Sequence, residues 1–130
     1  MIKLKYNILY VPNVDTAISF YERAFGFERQ FITPDSNYGE LKTGETTLSF
    51  ANETFVKENI PGGFQESRLG KKPFGIELGF TTRNVEEVYQ NAILEGAKAL
   101  VAPKTKPWGQ VVAYVQDPNG FLLEICTPMD

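Results

Sequence analysis

The sequence predicts an α+β fold in which two βαβββ modules follow one another, and three observations carry that prediction. Strand-like alternation opens the chain and returns at Phe74. An amphipathic helix follows each of these strands, and three short strand-like runs follow each helix. The two cycles also overlay, with Asn13-Val14-Asp15 falling on Asn84-Val85-Glu86 at an offset of 71 and Gly44 on Gly120 at an offset of 76. Such a period is too long for a solenoid and reads as a duplicated half-domain, each curved mixed sheet forming a cleft.

The elements follow in order. Residues 2–11 alternate, with Leu4, Tyr6, Ile8 and Tyr10 on one face and Asn7, Leu9 and Val11 on the other, until Pro12 stops the strand. Asn13 stands where an N-cap belongs and Asp15 in the first turn. Val14, Ala17, Ile18, Tyr21 and Phe25 then recur at helical spacing up to Gly26, a C-cap residue. Strands are expected over 27–33, 38–43 and 46–51, parted by Pro34-Asp35-Ser36-Asn37 and Gly44-Glu45. Pro61, Gly62, Gly63 and Gly70 among charges mark residues 52–73 as a connector between module one (1–51) and module two (74–130) of a single domain, 1–130. Module two repeats the order: a strand from Phe74 to Thr82, then a capping box of Asn84 and Glu87, then a Val85, Val88, Tyr89, Ala92 stripe ending at Gly96. Strands over 98–102, 110–116 and 121–126 complete it, the last two joined by the tight turn Asp117-Pro118-Asn119-Gly120.

Composition narrows the chemistry. A length of 130 residues suits one domain with a real core, and no apolar run approaches the length of a membrane span. The alternating N-terminus has no signal-peptide character, and the one cysteine, Cys126, fits a reducing compartment, so a cytoplasmic location is expected. A net charge of -3 offers no basic footprint for nucleic acid. The absence of histidine removes the commonest zinc ligand, the commonest general base and every Ser-His or Cys-His nucleophile. The charged run from Glu66 to Lys72 reads as solvated loop, and no glycine-rich loop enters a helix as nucleotide binding would require.

The segment Val11-Pro12-Asn13-Val14-Asp15-Thr16-Ala17-Ile18-Ser19-Phe20-Tyr21, continued by Ala24-Phe25-Gly26-Phe27, resembles the strand–helix opening of the vicinal oxygen chelate superfamily. This is the superfamily of glyoxalases, bleomycin-resistance proteins and extradiol dioxygenases. The ending Asp117-Pro118-Asn119-Gly120-Phe121-Leu122-Leu123-Glu124-Ile125 is similar to its last hairpin, and Ile76 to Gly96 to its second strand–helix pair. The resemblance implies the glyoxalase/bleomycin resistance fold and a homodimer, with modules paired within or between chains. It leaves open whether a reaction is catalysed, because the superfamily holds lyases, epimerases, dioxygenases, thiol transferases and non-catalytic antibiotic binders. Carried over residue by residue, the family's metal-ligand positions fall on Tyr6, Glu77, Glu124 and, four residues after the matching glycine, Leu48. Two carboxylates fall short of the roughly three protein ligands of a catalytic zinc site, so no metal or other cofactor is expected and no catalytic residue is assigned.

The same positions describe a binding cup. Tyr6, Ile8 and Tyr10 would line it from the first strand, and Glu77, Gly79 and Thr81 from the fifth. Glu77 lies between Ile76 and Leu78, and Glu124 between Leu123 and Ile125, so each carboxylate faces a cavity or carries a partner. Tyr38 and Glu40 alternate on the third strand and either line the first cup or face solvent. Trp108, between Pro107 and Gly109, either stacks on a ligand at the mouth or anchors its hairpin. Two converging carboxylates favour a cationic or donor-rich small molecule. That agrees with the resemblance's metal-free bleomycin-resistance branch, which sequesters bulky, positively charged antibiotics. The alternative is a lyase or dioxygenase that uses Glu77 and Glu124 with a metal, or as acid and base without one. The expected partners are a small-molecule ligand and a second copy of the chain, with neither nucleic acid nor membrane.

Overall fold

A computed structural model describes residues 1–129, and the chain divides into two compact units, Met1–Glu66 and Ser67 onward. The first unit holds β1 (Tyr6–Val11), α1 (Val14–Phe25), β2 (Glu28–Ile32), β3 (Tyr38–Lys42), β4 (Thr47–Asn52) and α2 (Glu53–Lys57). Its sheet runs β1-β4-β3-β2, with β1 parallel to β4 and the other pairs antiparallel. The expected cap at Asn13 forms: its Oδ1 accepts from the Thr16 N–H at 2.9 Å, and Gly26 closes the helix at φ 73°. The buried stripe of α1 adds Phe20 and Ala24 to the expected residues, leaves Phe25 only part-buried, and meets the sheet through Tyr21, whose ring centroid lies 5.2 Å from that of Phe50. The sheet approaches closely enough that a Cβ on Gly39 would lie 2.5 Å from Ile18 Cδ1.

In the second unit β5 (Glu77–Thr81), α3 (Val85–Leu94), β6 (Lys98–Thr105), β7 (Val111–Gln116) and β8 (Leu122–Cys126) form the sheet β5-β8-β7-β6, again with one parallel pair, β5 with β8. Val85, Tyr89 and Ala92 of α3 are buried, and Val115, Leu123 and Ile125 are fully so. The Asp117 turn is held by its own carboxylate, which accepts from the N–H groups of Asn119 at 2.8 Å and Phe121 at 3.0 Å. Gly120 there has φ 93°, and a side chain on it would collide with the Arg68 backbone.

Several local expectations need correction, among them the starts of the first and fifth strands, which lie at Tyr6 and Glu77 rather than at residues 2 and 74. The Asn84–Glu87 capping box does not form, because the Asn84 N–H that Glu87 would serve is donated to Thr82 Oγ1 at 3.1 Å and the Asn84 side chain makes no capping bond. The connector is not irregular throughout: Asn52 accepts from the Phe55 N–H at 3.2 Å and starts the short helix α2. Strand β6 continues past the expected residue 102 to Thr105, its register shifting between Ala99 and Val101 and between Val101 and Lys104. Such irregularity, with Pro103 inside it, is tolerated because β6 is an edge strand. Among the described residues no helix is long and apolar enough to cross a membrane.

Candidate functional site

Paired residues on neighbouring strands point to the same side of a sheet, so register decides which side chains share the face away from the helix. In the second unit Gly79 pairs with Glu124 and Glu77 with Leu122 across the parallel strands. Tyr114 of β7 pairs with Glu124 from the other side. Glu77, Gly79, Glu124, Tyr114 and Cys126 therefore share one face, while Leu78, Phe80, Leu123 and Ile125 occupy the other. Glu77 and Glu124 are brought together as expected.

Glu124 is the centre of this cluster. Its Oε1 accepts the Tyr114 hydroxyl at 3.2 Å. Glu77 is pushed above the ordinary carboxylate range, first by lost hydration, then by the Glu124 charge and a hydrogen bond with Glu124 that only a protonated carboxyl can donate. Burial pushes the Cys126 thiol up, and the Glu124 and Glu77 charges push it further. The Tyr114 phenol rises for the same reasons, burial first and Glu124 next. Three weakly acidic groups thus surround one carboxylate, and adding a positive charge or a strong donor relieves the crowding of negative charge.

The first unit carries a different polar group on the corresponding face. Tyr38 donates to Glu40 Oε2 at 2.6 Å, and its oxygen lies 2.9 Å from Ser49 Oγ. Lost hydration and the bond to Glu40 push the Tyr38 phenol up to about 12. Tyr38 and Glu40 are accordingly neither simply solvated nor free: each fixes the other. Tyr6 and Ile8 remain half exposed on this face, and Tyr10 packs edge-on against Phe64 with centroids 4.8 Å apart.

Leu48 does not belong with them. It pairs with Asn7 and lies on the face covered by α1, almost fully buried, whereas Ser49 pairs with Ile8 and takes the position that Glu124 holds in the second unit. The stretch after Gly44 contains one residue more than the stretch after Gly120, and a one-residue slip reverses the face of a strand side chain. Trp108 stands in the β6–β7 turn, 60% exposed, its indole N–H donated to Gln110 Oε1 at 2.9 Å. The ring is thus tied to its own hairpin by that bond while much of its surface stays open to solvent.

Sequence reasoning missed Ser49, Tyr114 and Cys126. Tyr114 had a usable signal: the tight Asp117–Gly120 turn sets β7 against β8, and counting back from it places Tyr114 opposite Glu124. Among the described residues no three His, Cys, Asp or Glu side chains are grouped so as to hold a metal ion.

A family model described as the Glyoxalase/Bleomycin resistance protein/Dioxygenase superfamily matches residues 3–125. The chain is 28% identical over 123 residues to a lactoylglutathione lyase of Arabidopsis thaliana, an alignment covering 88% of this chain and 40% of that protein. A glyoxalase-related enzyme from Fulvimarina pelagi superposes with a TM-score of 0.83 at 21% identity, covering 98% of this chain and 89% of the other. TioX from Micromonospora sp. ML1 superposes at 0.72 with 19% identity, covering 98% and 99%. Both structures share the α+β fold of two mixed sheets with helices.

Proposed function

The chain belongs to the glyoxalase/bleomycin resistance protein/dioxygenase superfamily, and from that membership we propose that it is a small-molecule binding protein taking a cationic, donor-rich ligand at Glu77 and Glu124 without a metal. The observation that carries this reading is the pair itself: two carboxylates on the helix-free face, one pushed up by lost hydration and then by the other's charge, with Tyr114 fixing Glu124. A ligand ammonium beside the pair would offset the Glu124 charge that helps push Glu77 up. The donor set supports the metal-free form. Beside the pair in the second unit stand a phenol, Tyr114, and a thiol pushed up by burial, Cys126, and the chain has no histidine to add a ligand.

The test is a melting-curve screen of the purified chain against metal-free bleomycin, spermidine, neutral and anionic compounds, and zinc, nickel and iron salts. Cationic compounds should raise the melting temperature by mass action, and the metals should not. A stoichiometric metal that co-purifies and is lost on Glu77→Gln or Glu124→Gln would overturn the metal-free reading. It would favour a second one, a lyase or dioxygenase of the same superfamily, which the similarity to the Arabidopsis lactoylglutathione lyase supports.

A further inference from the structure

Gly79 occupies the middle of β5, where glycine weakens a strand because it packs nothing and loses more freedom on folding than other residues. Neither usual reason for a glycine applies. Its backbone is not left-handed, unlike that of Gly26, Gly44 or Gly120. Nor does packing forbid a side chain: the only atom near a Cβ built there, among the described residues, is Glu124 Oε2 at 3.6 Å. Gly39 is the contrast, since a Cβ there would run into Ile18.

The one group a side chain at position 79 would meet is therefore the far oxygen of Glu124. Tyr114 holds Oε1 from the β7 side, and Glu77 and Thr81 stand on either side of Gly79 along β5, on the same face. The missing side chain makes a gap between them, opening onto Oε2. A hydrogen-bond donor must come within roughly 3 Å of that oxygen. A Cβ at position 79 would stand in that space.

We propose that Gly79 is the opening through which a ligand reaches Glu124, and that it admits a slender donor, a primary ammonium or a hydroxyl, while turning away bulky quaternary ammonium groups. The inference rests on the reading of Glu77 and Glu124 as the binding pair, but its test needs no ligand. The wild-type chain and the Gly79→Ala and Gly79→Val variants are treated with a small water-soluble carbodiimide and glycine ethyl ester. The reagent activates a carboxyl, the amine displaces it as a urea, and the resulting amides are located by peptide mass spectrometry.

Labelling of Glu124 should fall from glycine to alanine and be lost with valine, while exposed Glu77 keeps its labelling in all three. A carbodiimide with bulky substituents should label Glu77 but not Glu124 in the wild-type chain. Gly79→Ala should melt as high as the wild type or a few degrees higher, because alanine has fewer unfolded conformations to lose. A merely structural glycine would instead lower stability and leave the labelling ratio unchanged. Equal labelling of Glu124 in wild type and Gly79→Val would overturn the proposal, as would equal access for the bulky reagent. If Gly79→Val does not fold, Gly79→Ala and the two reagents on the wild-type chain decide the question. A chain that binds no cation in the melting screen would sink the functional reading and leave the labelling result standing.

Discussion

Glu124 receives the Tyr114 hydroxyl, sits beside Glu77 and Cys126, and has a glycine across from it, so its single carboxylate connects four neighbouring positions. Removing either acidic group should separate stability from binding. Glu77 has a folded-state pKa above its ordinary 4.5, so the folded protein holds that proton more tightly than the unfolded chain does. The stability it contributes is fully present below pH 4.5 and is lost as the pH rises through the elevated folded value. Glu77→Gln removes that loss. Its melting temperature should match or exceed the wild type near neutrality, with a flatter dependence on pH in the acid range. Affinity for a cationic ligand should fall by roughly 1.5–3 kcal/mol in Glu77→Gln and in Glu124→Gln, the scale of a hydrogen bond to a charged group. Calorimetric titration of the two single variants and the double variant reads the coupling between them. Lower melting temperatures with unchanged binding would mark both glutamates as structural. These glutamates were legible in the sequence because a charge between large apolar neighbours on a strand demands an explanation. Ser49 and Cys126 were not legible, since a serine or cysteine in a strand is unremarkable until its partners are known.

Among the elements, the two helix starts look alike in sequence and differ in the folded protein. Asn13 caps α1 with its side chain, while the Asn84 side chain makes no capping bond. Asn13→Ala should therefore cost about 1 kcal/mol in urea unfolding, and Asn84→Ala close to nothing. Comparable losses would mean that Asn84 caps in solution. The strand glycines differ in the same way. Gly39→Ala drives a methyl group into Ile18 Cδ1 and should destabilise by about 1–3 kcal/mol, the cost of overpacking a tight core. A near-neutral Gly39→Ala would show that α1 can shift away from β3. Asn-x-Asp before an apolar stripe reveals a helix start, because capping is a local affair of three or four residues. Whether the Asn side chain then turns to the N–H three residues on is not set by that pattern, as Asn84 shows.

At the scale of the whole molecule, duplication sets the element order while leaving the two units chemically unequal. One carries a tyrosine–glutamate–serine group on its helix-free face, and the other a pair of glutamates with a tyrosine and a thiol. The family resemblance implies a homodimer, and the second unit exposes Ile76, Leu94, Leu100 and Val101, large apolar side chains of the kind an interface covers. Sedimentation of the purified chain should give a dimer, and a monomer at micromolar concentration would remove that expectation. The order of strands and helices, the turns, the Asn13 cap and the suspicion attached to Glu77 and Glu124 were readable from the chain alone, because each depends on neighbours a few residues away. The face of each side chain was not, as Leu48 demonstrates: the glycine overlay stopped one residue short and named a core leucine where Ser49 belongs. Register between strands far apart in the chain assigned those faces. It brought Tyr114, Cys126 and the gap at Gly79 to Glu124, because hydrogen bonding across a sheet aligns residues that sequence distance keeps apart.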